Sequence, residues 1–89
     1  MTMSFVNIGF GNIINSNKIV SMITSDSAPA KRIVSNAKET GNIIDATQGR
    51  RTRCVIICDD HVVLSALMPD TIANRIIDNS LKEELDYDA

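Results

Sequence analysis

The sequence predicts an α+β fold, a small and mostly antiparallel sheet with two helices, on three observations. Short apolar runs alternate with Asn, Gly and Asp clusters. Two stretches that open on proline repeat their apolar residues at helical spacing. One run, Cys54 to Cys58, is apolar without a break.

Taken in order, residues 4–8 (SFVNI) read as a strand, and Phe10-Gly11-Asn12 after Gly9 reads as a turn. Residues 12–24 (NIINSNKIVSMIT) read as two short strands around Asn15-Ser16-Asn17, because Asn tolerates turn geometry. That pair would begin the antiparallel sheet. Residues 25–29 (SDSAP) then supply a cap and a first-turn proline, Pro29, which fixes φ where a helix begins. Ala30, Ile33, Val34 and Ala37 fall on one helical face, and Gly41 ends the helix. Lys31, Arg32, Ser35, Lys38 and Glu39 lie on the other face.

Residues 42–46 (NIIDA) read as a strand and Thr47-Gln48-Gly49 as a turn. Residues 51–58 (RTRCVIIC) read as a strand covered on both faces, hence the central one, because its apolar stretch does not alternate. Asp59-Asp60-His61 is expected to be a hairpin turn, and residues 62–67 (VVLSAL) the returning strand. Pro69 opens the second helix, whose Ile72, Ala73, Ile76 and Ile77 form a stripe. At 89 residues this is one domain, placed at 1–80, followed by an acidic and flexible tail at 81–89.

Composition adds limits. With 3% aromatic residues the core must be aliphatic, and a chain this short commonly gains stability by self-association. No apolar run approaches the ~20 residues of a membrane span, and the first ten residues lack the pattern of a signal peptide. A cytoplasmic protein is expected. Cys54 and Cys58 on one strand would stand ~13 Å apart, too far for a bond. With His61 as the one histidine, no metal site is expected, and both cysteines read as small buried hydrophobes.

Candidate chemistry is sparse. Gly9-Phe10-Gly11 lacks the third glycine, the helix and the downstream acid of a dinucleotide loop, so no cofactor is implied. Asp59, Asp60 and His61 suit a turn, and Ser65 lies outside any nucleophile elbow. No enzyme is expected.

Charge is uneven. Residues 82–89 carry Lys82 against Glu83, Glu84, Asp86 and Asp88, a net −3 in a chain of net −2. Residues 31–53 hold Lys31, Arg32, Lys38, Arg50, Arg51 and Arg53 against Glu39 and Asp45, a net +4. Arg51 and Arg53 would share a strand face, with Asp45 and Asp59 as salt-bridge partners. Such pairs account for one arginine better than for three. Arg50 and Arg51 follow Gly49 in a turn, where guanidinium forks suit phosphate oxygens. A solvated or paired strand start, a polyanion site and a protein-partner patch all remain open. One copy offers too few cations, and no aromatic stacking surface, for tight single-strand binding.

Four segments carry a resemblance to a known family: residues 6–12 (VNIGFGN), 27–34 (SAPAKRIV), 44–53 (IDATQGRRTR) and 59–76 (DDHVVLSALMPDTIANRI). Together, in this order, they resemble the RemA family of bacterial extracellular matrix regulatory proteins. The resemblance covers nearly all of residues 4–78. It implies a DNA-binding transcriptional regulator without enzymatic activity, whose subunits close into a ring. It further implies activation of genes for biofilm matrix and osmoprotection in spore-forming Gram-positive bacteria. The implied partners are double-stranded DNA and further copies of the chain, and the choice between touching RNA polymerase and bending DNA stays open.

By the same resemblance Arg50 and Arg51 match the arginine pair that contacts DNA. Lys18 stands where relatives carry arginine, at a position tied to DNA or to subunit contact. Pro29 matches a position needed for activity, read as holding the helix start or a neighbouring subunit. From the charge pattern alone, Lys31, Arg32 and Arg53 are expected as secondary basic contacts. Gln48 departs from the family's pattern, which has an aromatic residue before the arginine pair. A ring-forming scaffold without DNA binding is the alternative reading.

Overall fold

The computed structural model describes the backbone of residues 4–88 and the side chains of residues 4–78. In chain order the elements are β1 (Phe5–Asn7), β2 (Ile13–Asn15), a 3₁₀ turn (Ser16–Lys18), β3 (Ile19–Thr24), α1 (Ala28–Thr40), β4 (Ile43–Asp45), β5 (Cys54–Cys58), β6 (Val62–Ser65) and α2 (Pro69–Asp88). The α+β expectation is met, with two helices and strands mostly antiparallel.

The strands form two sheets. β1 and β2 pair as an antiparallel hairpin, and a second sheet has the order β3-β5-β6-β4, antiparallel except for the parallel pair β4 and β6. Here the structure corrects the expected pairing around Asn15-Ser16-Asn17. β2 and β3 do not pair with each other. The Asn15 side chain accepts a hydrogen bond from the Asn17 N–H at 3.0 Å, and Ser16 donates both its N–H and its hydroxyl to the Ser4 carbonyl. These bonds turn the chain through a 3₁₀ turn and hold β2 to β1, so β3 leaves for the other sheet.

β5 is interior, as the unbroken apolar run predicts. Cys54, Ile56 and Cys58 enter the core shared with Val6, Ile8, Ala46, Val63 and Ile72, whereas Val55 enters the core under α1 with Ala30, Ala37, Val62 and Leu64. One strand thus feeds two core halves, which needs apolar residues at successive positions. Each fully buried Ile or Val contributes ~1.5–3 kcal/mol. α1 packs as its apolar face predicts, Ile33 and Val34 joining Ala30 and Ala37. The Ser27 hydroxyl accepts the Ala30 N–H at 3.2 Å to cap its start, and Gly41 ends it at φ +74°, the left-handed region that glycine enters without a steric cost. On α2, Ile72 is buried and Ile76 joins the same core, but Ile77 is exposed. The acidic tail expected at 81–89 carries its side chains outside the described residues.

Cys54 and Cys58 are free and buried, and desolvation pushes the Cys54 thiol up to about 11. They fill space as small hydrophobes.

A candidate nucleic-acid interface

Two tight loops meet at one end of the sheet. The first, residues 9–12, carries three consecutive residues in the left-handed region, Gly9, Phe10 and Gly11, at φ +109°, +54° and +77°. It is pinned from several sides. The Asn7 carboxamide oxygen accepts the Gly9 N–H at 2.7 Å, the Asn12 N–H reaches the Gly9 carbonyl at 3.0 Å, and the Ile8 N–H reaches the Asn12 carbonyl at 2.8 Å. Arg75 of α2 donates to the Asn7 carbonyl at 2.8 Å. Ser65, fully buried at the end of β6, donates to the Ile8 carbonyl at 2.7 Å and accepts the Leu67 N–H at 3.1 Å. Ser65 thus ties the end of β6 to the first loop.

The second loop, residues 46–50, is closed by the Thr47 carbonyl accepting the Arg50 N–H at 3.0 Å, with Gln48 and Gly49 both left-handed at φ +54° and +77°. Buried Thr47 donates its N–H and its hydroxyl to one oxygen of Asp45, at 2.9 and 2.6 Å. The Thr47 hydroxyl first, then its N–H, hold the Asp45 carboxyl below its ordinary value, and the charge of Lys38 adds to this against desolvation. The Asn12 side chain joins the two loops, donating to the Gly9 carbonyl at 2.8 Å and to the Ala46 carbonyl at 3.3 Å.

Between these loops opens a cleft of about 400 Å³ lined by Phe10, Arg50, Arg51, Arg53, Ala66 and Leu67. All three arginines are exposed. The expected strand through Arg51 and Arg53 is corrected: β5 begins at Cys54, and residues 51–53 lie outside any element. Ser25 takes over the pairing there, its hydroxyl donating to the Thr52 carbonyl at 2.7 Å and its N–H to the Arg53 carbonyl at 3.3 Å, while the Arg53 N–H reaches the Ser65 carbonyl at 2.9 Å. The arginine segment is thus fixed on both sides although it lies outside the ladder.

The expected ion partners also change. Arg51 lies 3.6 Å from Asp26, both side chains largely exposed, a pair worth ~0–1 kcal/mol. Asp45 is engaged by Thr47, and Asp59 lies 3.8 Å from Lys18. No ion pair of Arg50 or Arg53 occurs among the described residues.

Lys18 sits elsewhere. Ile19 pairs with Cys58, at the end of β5 away from the arginines, so Lys18 stands beside Asp59 and Asp60 of the hairpin. Along β5 that separation is ~13 Å. Within one copy the structure does not bring Lys18 to the cleft. Asp60 accepts from His61 at 2.7 Å, and that bond lowers the Asp60 carboxyl from its ordinary value. The Cys58 N–H, donating to the His61 carbonyl at 3.0 Å, closes the hairpin.

Lys31 lines a second cleft of about 340 Å³ with Ser25, Val34, Lys38, Thr52 and Leu64 among its walls, on the α1 side of the arginine segment. Lys38 lines it as well, exposed like Lys31 on the face of α1 expected to meet solvent or a partner. Arg32 and Pro29 are exposed on α1, Pro29 within its first turn. Sequence reasoning missed Phe10, treating it as part of a failed cofactor loop and finding no aromatic surface near the cations. Its signal was an aromatic residue flanked by two glycines, where a turn calls for polar residues.

The sequence as a whole is similar to known proteins. A family model described as extracellular matrix regulatory protein A-like, RemA-like, matches residues 5–76, which include both loops and all three arginines. The chain belongs to the RemA-like family. A relative in Carboxydothermus hydrogenoformans, named a putative regulatory protein, is 54% identical over 85 residues, covering 94% of this chain and 98% of the relative. One in Thermoanaerobacter sp. (strain X514), also named a putative regulatory protein, is 55% identical over 87 residues, 97% of this chain and 88% of its own. Extracellular matrix regulatory protein A of Bacillus subtilis (strain 168) is 50% identical over 86 residues, 96% of this chain and 93% of its own. The expected family is therefore the one found, and its members carry names of regulation. Among the described residues, no helix of this RemA-like chain is long and apolar enough to cross a membrane.

Proposed function

We propose that this RemA-like protein is a non-enzymatic, DNA-binding transcriptional regulator of the bacterial cytoplasm, acting as a ring-shaped homo-oligomer. The observation that carries the reading is the gathering of Arg50, Arg51 and Arg53 around one cleft, on a segment fixed at both sides. Guanidinium groups suit phosphate oxygens, because the planar fork is pre-organised and less side-chain freedom is lost for each bond formed. The name of the Bacillus subtilis relative suggests matrix genes as the targets; biofilm and osmoprotection genes are the finer form of that proposal.

One copy neutralises few phosphates, so affinity must come from repetition. Several copies around an axis present the same arginines at high effective concentration. Exposed apolar side chains favour such association: Val20 on edge strand β3, Ile44 on edge strand β4 and Ile13 on β2 are each more than half exposed, at 66%, 52% and 62%. Edges on opposite sides of one sheet suit head-to-tail contacts, which close into rings. In such a ring Lys18 belongs to the contact between subunits or to a second row of phosphates, and Lys31 and Arg32 extend the basic surface. Contacts of this kind leave sequence preference to DNA shape, and bending of DNA or contact with RNA polymerase completes activation.

The test is retention of a duplex by the native oligomer. Replacing Arg50 and Arg51 with alanine abolishes the gel shift while elution of the oligomer stays unchanged; an undiminished shift overturns the assignment. The exposed Arg51–Asp26 pair favours a second reading, a ring-forming scaffold whose arginines meet acidic protein surfaces. Light scattering separates the two, since only a DNA-binding protein gains mass when duplex is added.

A further inference from the structure

Phe10 is out of place for a residue with no role. It is 52% exposed, it holds φ at +54°, and three arginines share its cleft. A bulky non-glycine residue in the left-handed region costs ~1–2 kcal/mol, and exposing a phenyl ring forgoes the stabilisation of burial. Neither cost is needed to close the turn, because the flanking glycines and the Asn12 bonds already do so. Strain held by an over-determined loop marks a place where a side chain is being presented. The loop is tied to β6 through Ser65, to α2 through Arg75 and to the arginine loop through Asn12, so the fold sets where the backbone of Phe10 stands relative to the arginine loop.

Besides Phe10 the cleft is apolar at Ala66 and Leu67 and cationic at Arg50, Arg51 and Arg53. That combination matches one chemical class. A nucleotide has a flat apolar face and a phosphate, which a phenyl ring and a guanidinium fork recognise separately. Backbone phosphate binding to an intact duplex uses the arginines and leaves the ring idle, because paired bases keep their faces stacked on one another.

We propose that this cleft takes a single nucleotide unit with an unstacked base, the base lying on Phe10 against Leu67 and the phosphate on Arg50, Arg51 and Arg53. The volume of about 400 Å³ falls within the range of small-ligand clefts. Two sources offer this chemistry, an unpaired stretch of nucleic acid and a free nucleotide. The inference rests on reading the cleft as a phosphate site, as above. It adds a base contact that duplex binding does not require.

The experiment uses the full-length oligomer and three probes: a fluorescein-labelled single-stranded thymidine oligonucleotide, a labelled duplex, and ATP carrying a fluorescent ribose label. Anisotropy is read for the wild type, Phe10→Ala, Phe10→Leu, Phe10→Tyr and Arg50→Ala/Arg51→Ala. Stacking of a base on an aromatic ring is worth about fivefold or more in affinity. Phe10→Ala and Phe10→Leu weaken the single strand by at least fivefold, Phe10→Tyr keeps it, and all three hold the duplex within twofold. Phe10→Leu keeps an apolar side chain of similar bulk, so its loss reports the ring face and not the fold. Binding of labelled ATP with the same Phe10 dependence assigns the site to free nucleotide; binding of the single strand alone assigns it to nucleic acid. Equal affinity of wild type and Phe10→Leu for the single strand and for labelled ATP overturns the inference, while arginine-dependent duplex binding leaves the earlier reading standing. A fall in oligomer mass for Phe10→Ala makes Phe10 a subunit contact and also overturns it. Loss of all three probes from the wild type removes both readings.

Discussion

Replacing Ser65 with alanine removes one oxygen from a site that is fully buried, and that oxygen makes two bonds. It donates to the Ile8 carbonyl at 2.7 Å, and Ile8 is also fully buried, so water does not replace the lost partner. It accepts the half-buried Leu67 N–H at 3.1 Å. A typical hydrogen bond contributes ~1 kcal/mol net, and stranding a buried acceptor costs ~1–3 kcal/mol, which together place Ser65→Ala at ~2–4 kcal/mol. Against the ~5–15 kcal/mol that holds an ordinary domain together, this is a large fraction. With a urea slope of ~1–1.5 kcal/mol/M, suited to a small chain, the unfolding midpoint falls by ~2 M. The assay is urea unfolding at one fixed protomer concentration, since association couples to stability. Ser35→Ala, at an exposed helix position, serves as the control and changes stability by less than ~0.5 kcal/mol. A Ser65→Ala change no larger than that of Ser35→Ala refutes the reasoning, and with it the claim that β6 braces the loop carrying Phe10.

Three further outcomes follow from the same loops. Gly9→Ala places a Cβ 3.4 Å from the Leu67 side chain at φ +109° and costs ~1–2 kcal/mol, more than Gly11→Ala, where no neighbour lies within 4 Å; thermal unfolding of both variants checks the order. Arg51→Ala breaks only the exposed pair with Asp26, so it lowers stability by less than ~1 kcal/mol even as it weakens DNA retention, and a larger loss by urea unfolding contradicts the solvated reading. Thr47→Ala exposes the pH dependence of the Asp45 bond. The Asp45 carboxyl is lower in the folded chain than its ordinary 3.8, so its contribution is present above about that pH and lost as pH falls through the folded value. The difference between wild type and Thr47→Ala, ~1 kcal/mol after discounting for exposure of the carboxylate, is therefore full near pH 7 and shrinks below 3.8; a difference that grows on acidification contradicts the assignment.

The elements were largely legible because their signals are local. The cap at Ser27, the stop at Gly41, and the unbroken run of Cys54 to Cys58 each report a physical need of one segment, and each recurs in the structure. Pairing was less legible. Nothing local in residues 12–24 says that β2 stays with β1 while β3 joins β5, since that outcome depends on Ser16 bonding back to Ser4 and on the partner β5 offers over thirty residues later. The arginine cluster could be seen as charge, but its cleft needed Ala66, Leu67 and Phe10 from distant loops. Asp59 was a reasonable partner for an arginine by sequence proximity, yet the hairpin carries it to the opposite end of β5, beside Lys18. Distances across a fold are what a linear reading of charge lacks.

The central claim is that a rim of repeated arginine contacts holds DNA by its phosphates. Its most direct test is the affinity of the native oligomer for one duplex, measured by fluorescence anisotropy over a series of salt concentrations, for wild type and for Arg50→Ala/Arg51→Ala. Each phosphate contact adds ~0.9 to the negative slope of log affinity against log salt, so the wild type gives a steep line and the double variant a shallower, weaker one. A flat wild-type line, or two superimposable lines, contradicts the account.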